Sequence, residues 1–430
     1  MKHLLHLRAL GEIVSVFCIL NFSGLHAGEF TDDGAWCWFQ DPRAVYLKAQ
    51  HERTYASWMQ AGGKLLVGYL DHSDHSTHSF VLKEQWDIDD HNTGSLLLLP
   101  DNRLMVFYAR HNKRGLFARV SLKPESIDDW EPEITVADTP RITYSHPVYL
   151  AQEKKFFVFW RGSTWKPTFA TSADGRHWSE PQVLIQQQGR EARDIRPYLK
   201  VGNDGQSNIH FAFTDGHPRN EAHNSVYYMQ YSKGKFHTVE GKVIGNLSEK
   251  RPVSHKACSV VYDARSSEAR AWVWDVAQDS DGRPVVLYTR HPNEKDHRYH
   301  WARWTGSEWQ DVELCQSGQW FPQTPEGVTE PEPHYSGGMS MNPMNPFQVC
   351  GSRQLNGQFE IVYWLSADGG NHWREQAVTL GSQSLNVRPA IPRGVPADCL
   401  HVLFMKGAYR HYTDYHTAIH WESIPSTGRN

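Results

Sequence analysis

The chain predicts an all-β fold, a seven-bladed β-propeller. Three observations carry this. Long helical periodicity is absent, and short apolar runs are separated by Gly, Asp, Asn and Pro turns from end to end. One unit recurs: a polar or small residue with Pro or Gly, an apolar strand, a turn, and a second apolar strand. No linker appears at mid-chain, as the alternative of two sandwiches would require. Units that cannot bury their own faces do so by stacking radially.

The units follow in order. Asp41–Tyr46 leads to Lys64–Tyr69, and His91–Leu99 to Leu104–Tyr108. Ser145–Tyr149 leads to Phe156–Trp160, and Arg196–Leu199 to Ile209–Phe213. Ala271–Trp274 leads to Pro284–Tyr288, Ser336–Met339 to Phe359–Tyr363, and Arg388–Ile391 to Leu400–Met405. Two turns support blades. Ser366-Ala-Asp368-Gly-Gly-Asn-His-Trp373 fits the S-x-D-x-G-x-x-W Asp box of sialidase-like propellers, and Ser172 to Trp178 is one residue shorter. In such a turn Ser and Asp satisfy backbone donors, and Trp packs between blades.

Composition narrows the function. A net charge of −4 leaves no electrostatic footprint for nucleic acid. The 17 Trp supply core, and some suit stacking on sugars. Residues 1–27 resemble a secretory signal: a basic start to Arg8, an apolar stretch from Ile13 to Leu20 interrupted upstream by Glu12, and Leu25-His26-Ala27 as a cleavage site. The remainder, 28–430, reads as one propeller, secreted or periplasmic and monomeric, with no membrane span. Outside the leader the five cysteines are widely spaced without a CxxC pair, which permits one or two bridges but no disulfide scaffold.

In a blade the innermost strand starts at one rim, and the second strand returns to it. The residue before the first strand and the residue after the second therefore share a cleft. Three adjacent units place His91 with His111, Tyr144 with Arg161, and Tyr198 with Asp215 and His217. A histidine after two aspartates also suits a plain turn, but matching rim positions in three units favour function. Tyr149 lies within a strand and reads as packing. The set lacks an obvious carboxylate pair for glycoside hydrolysis, a Gly-x-Ser-x-Gly elbow and a phosphate loop. It suits β-elimination from a uronic acid, which needs a cation on the carboxylate, a base for the C5 proton and an acid for the leaving oxygen.

Gly34 to Ala44, Asp89 to Asn92, Phe213 to Pro218, Tyr335 to Met339 and His411 to Tyr415 resemble the BNR-4 type propellers that include ulvan lyases. The resemblance implies a secreted lyase cleaving ulvan, a sulfated rhamnose–uronate polysaccharide, with His91, His111, Tyr144, Arg161 and Tyr198 as the catalytic set. His91 with Tyr144 or Tyr198 would share base and acid roles, and Arg161 with His111 would bind the carboxylate. It also implies a structural zinc, for which His217, His223 and Cys258, with His255 as an alternative, are the candidates. Arg43, His334, Tyr335 and Arg388, with Lys406 and Arg410, are candidates for the anionic sulfated chain. A sialidase-like hydrolase and a non-catalytic carbohydrate-binding propeller are the rival readings.

Overall fold

The computed structural model describes residues 26–162, 164–186, 196–267, 269–321, 324, 327–328 and 334–425. Seven antiparallel sheets form a ring. Blade 1 comprises Ala44–Lys48, Glu52–Met59, Leu65–Asp71 and Thr77–Lys83. Blade 2 comprises Ser95–Leu98, Leu104–Tyr108, Leu116–Val120 and Ile134–Ala137. Blade 3 runs from Thr143–Leu150 through Lys155–Arg161 and Pro167–Ser172 to Gln182–Val183. Blade 4 starts at Leu199–Asn203 and carries Ser259–Tyr262 as an extra strand against Val226–Ser232. Blades 5 and 6 start at Arg270–Gln278 and Met339–Asn342.

Blade 7 is built from both ends of the described chain. Leu385–Ala390, Cys399–His411 and Asp414–Pro425 are its inner strands, and Ala27–Thr31 is its outer one. Ala27, the last residue assigned to the leader, is the first of that strand; residues 1–25 lie outside the described residues. A parallel bridge from Val45 to Arg393 joins blade 1 to blade 7.

The middle strands are covered on both faces by neighbouring blades, so they are uninterrupted apolar runs rather than alternating ones. All five residues of Leu104–Tyr108 are buried. The rim strand Thr77–Lys83 is mostly open. Both Asp-box turns form: the Ser172 hydroxyl donates to Asp174, Ser366 to Asp368, and backbone amides of His177 and His372 donate to the same carboxylates. Their Trp178 and Trp373 rings pack on Phe107 of blade 2 and Trp301 of blade 5.

Three expectations need correction. Two units skip a strand: Glu52–Met59 lies between Tyr46 and Lys64, and Asn345–Leu355 between Met339 and Phe359. Both missed strands are polar-rich at their ends, which reads as turn. Second, His91 does not start a strand. It sits in a single 3₁₀ turn, Asp90–Asn92, capped by the Asp89 side chain, and the strand begins at Ser95. Third, Cys37, Cys258, Cys315, Cys350 and Cys399 are all free thiols, because the blades hold them apart. No helix among the described residues is long and apolar enough to cross a membrane.

Candidate active site

Register explains how the histidines meet. Ser95 pairs with Phe107, and His91 and His111 each lie four residues beyond that pair at one rim. Their rings stack with centroids 4.2 Å apart and planes 6° apart. Asp89 bridges them: Oδ1 is 2.7 Å from His91 Nδ1, and Oδ2 is 2.9 Å from His111 Nδ1. Asp90 Oδ1 lies 2.9 Å from the same His91 nitrogen.

Blade 3 supplies the next pair. Thr143 pairs with Arg161, and a bulge between Thr143 and His146 follows. Tyr144 stands in that bulge at φ 62°, in the left-handed region that a bulky residue seldom adopts. The bulge turns its ring to 5.6 Å from His91 and places Arg161 4.7 Å from the Tyr144 ring. Blade 4 brings Tyr198, whose hydroxyl accepts from Arg161 Nη1 at 3.1 Å. Arg161 Nη2 donates to Asn112 Oδ1 at 3.1 Å. All five catalytic candidates therefore share one cleft. Among the described residues Arg161 bonds only neutral oxygens, so its charge stands uncompensated.

Electrostatics separates the two imidazoles. Burial opposes charge on His91, but the groups around it, Tyr144, Cys37, Asp89 and Asp90, more than reverse this and raise its pKa well above the ordinary value. For His111 burial comes first and the neighbouring His91 second, and its pKa falls to about 4. The two imidazoles are thus driven apart: Asp89 and Asp90 favour the charged form of His91, and burial favours the neutral form of His111. Burial also keeps the Tyr144 phenol protonated, its pKa well above 10.0.

Three participants escape sequence reading as site residues. Asp89 and Asp90 look like turn formers, and Tyr412 lies on a distant hairpin. Tyr412 comes from blade 7, stands edge-on to His91 at 4.8 Å, and accepts from the Asp90 amide at 2.8 Å. A carboxylate two residues before a rim histidine was the available signal for Asp89.

The substrate-binding candidates divide. Tyr335 packs 5.3 Å from Trp272 near His217, and His334 Nε2 is 3.1 Å from Arg270. Arg388 is only 1% exposed: it is ion-paired to Asp90 and donates to Trp36 O, beneath the cleft rather than in it. Arg43 is buried, with Nε 2.9 Å from Asp41 Oδ1. Lys200 from blade 4 binds the same carboxylate. Despite burial, Lys200, Arg43 and Arg393 hold the Asp41 carboxyl well below its usual range. Arg43 and Arg388 are thus structural counter-ions, committed before any ligand arrives.

The zinc ligands expected from sequence do not gather. His217 packs on Trp272, His223 is exposed, His255 faces Tyr227, and Cys258 lies beside Met229 with its thiol pushed up by burial to about 12. Among the described residues two donor sets come within 4.8 Å, Cys37–Asp90–His91 and Asp89–His91–His111. Their carboxylates are already engaged by Arg388, Tyr409 and the imidazoles.

Comparison with known proteins places this architecture. The description "BNR repeat-containing family member" matches residues 53–317, more than half of the chain. The chain belongs to this BNR repeat-containing family. Among solved structures, an ulvan lyase of polysaccharide lyase family PL25 matches with TM-score 0.69 and 17% identity, over 91% of this chain and 94% of that one. The same lyase is known bound to -[GlcA(1-4)Rha3S]-. A second polysaccharide lyase matches with TM-score 0.60 and 12% identity, over 95% and 94% of the two chains. A lectin from Burkholderia pseudomallei matches with TM-score 0.53 and 11% identity, over 94% and 96%. At these identities the shared property is the propeller fold. No curated protein matches the chain.

Proposed function

We propose that this BNR repeat protein is a secreted polysaccharide lyase that cleaves ulvan by β-elimination at uronic acid residues. One observation carries the reading. An uncompensated guanidinium, Arg161, lies in one cleft with two stacked imidazoles held by one carboxylate. Likeness in fold to an ulvan lyase and to a second polysaccharide lyase supports it.

The residues divide the reaction as follows. Arg161 meets the uronate carboxylate and lowers the barrier to loss of the C5 proton. The unprotonated Nε2 of His111 accepts that proton. The C4–O bond breaks, a C4–C5 double bond forms, and the leaving oxygen takes a proton from His91 or Tyr144, the groups that carry one. This differs from the sequence expectation, which set His111 beside Arg161 on the carboxylate; the charge states favour the exchange. Tyr198 fixes the Arg161 fork.

Incubation with ulvan should generate the ultraviolet absorbance of an unsaturated uronate. His91→Ala and Arg161→Ala should each lower that rate about 10²-fold or more, with circular dichroism unchanged. A fully active His91→Ala enzyme, or new reducing ends without the absorbance, would refute the reading.

A further inference from the structure

The cleft continues past Arg161. Trp165, four residues on and half-buried, is ringed by guanidinium groups from three segments. Arg196 lies 4.1 Å from its centroid, Arg161 4.9 Å and Arg141 5.9 Å. Arg141 precedes the inner strand of blade 3, Arg161 ends the second strand, and Arg196 leads into blade 4.

Three guanidinium groups gather here around one ring. Several surface arginines elsewhere are matched: Arg114 by Asp138, Arg103 by Asp101 and Glu131, Arg298 by Asp296 and Glu313. Among the described residues, Arg141, Arg161 and Arg196 have no carboxylate within 4.0 Å. Three cations around one indole repel each other, and the ring quadrupole offsets only part of that. A guanidinium that lays its face on an indole still directs its N–H bonds outward in its own plane, the geometry that forks an oxyanion. Two such donors, Nε of Arg161 and of Arg196, are buried and have no partner.

We propose that Arg141 and Arg196, organised by Trp165, form a second anion subsite beside Arg161. Its ligand is an anionic substituent, a sulfate ester or a carboxylate, on the sugar adjoining the cleaved uronate. The proposal rests on the polysaccharide reading above. It makes the site selective for chains charged on successive residues, because Arg161 serves one anion and the Trp165 cluster the next.

Calorimetric binding of ulvan oligosaccharides, before and after desulfation, tests this in the His91→Ala protein, which leaves the ligand intact. Adding Arg141→Ala and Arg196→Ala together should raise Kd for the sulfated chain about 10-fold or more and flatten its salt dependence. If the desulfated chain is affected less than twofold, the anion is the sulfate; if equally, it is a carboxylate. Trp165→Ala should reproduce the loss without removing a charge, with thermal melting confirming the fold. Unchanged affinity of the arginine variant for both chains, or no binding of either chain by the His91→Ala protein, would overturn the proposal. Failure of the lyase reading shows separately, as wild-type protein that binds these chains and yields no unsaturated product.

Discussion

Asp89 governs the chemistry of the cleft although it need not touch a substrate. Its two oxygens orient both rings, place the His111 proton on Nδ1 and favour the charged form of His91. Asp89→Asn keeps the size and loses the charge. His91 then loses one of the negative groups that raise its pKa. An activity that needs the imidazolium falls as pH rises through that pKa, so in Asp89→Asn the alkaline limb of the pH–rate profile should move to lower pH, by about one unit or more. An unmoved limb would show that His91 is not the proton donor. Tyr412 belongs to the same scale: its ring closes the far edge of the imidazole pair, and Tyr412→Ala should raise KM more than it lowers kcat. These residues were hard to read in the sequence for a physical reason. Asp at a turn satisfies backbone amides in most proteins, and Asp89 does that too, accepting from the His91 amide at 3.0 Å; its second task exists only once His111 returns beside it.

At the scale of the element, the hairpin is the unit that delivers side chains to the cleft. The pairings Ser95–Phe107, Thr143–Arg161 and Leu199–Phe213 place the ends of three hairpins at equivalent heights. The Asp-box turns hold the opposite, outer parts of the blades, and Gly370 shows how tightly. It adopts φ +91°, and a Cβ there would lie 2.5 Å from the Trp301 ring. Gly370→Ala should lower unfolding free energy by about 1–3 kcal/mol, read from urea denaturation, through backbone strain and overpacking together. Activity of the folded fraction should not change, since this turn and the cleft lie in different parts of the ring. The hairpins were legible in the sequence wherever both strands were apolar. The two missed strands, Glu52–Met59 and Asn345–Leu355, open on the turn-like runs Glu52-Arg53-Thr54 and Asn345-Pro346.

For the whole molecule, closure and burial dominate. Ala27–Thr31 pairs with Asp414–Pro425, so blade 7 is finished by residues from the start of the chain. Removing residues 1–31 should leave an exposed sheet edge, lower the melting temperature and promote aggregation measurable by light scattering. Burial also predicts sensitivity to acid. Burial, aided by nearby positive groups, depresses His146 and His401 to about 3 and His111 to about 4; burial likewise brings His210 to about 4. The unfolded chain binds these protons near pH 6.5 and the folded chain does not. Stability should therefore decline as pH falls from about 6.5 towards 4 and level off below about 3 on their account. A melting temperature constant across that window would contradict it.

By itself the sequence determined the propeller, because a repeated strand–turn–strand pattern that cannot bury its own faces has few other solutions. It also determined which hairpin ends carry His91, His111, Tyr144, Arg161 and Tyr198, because strand pairing is local and its register follows from apolar runs and turns. Only the tertiary structure decided the rest. That Arg43 and Arg388 are buried counter-ions, that the expected zinc ligands stay apart, that Asp89 joins two imidazoles and that three arginines share Trp165 all depend on contacts between blades. Such contacts are set by how the ring closes, and no local pattern of residues encodes the distance between side chains brought together by that closure.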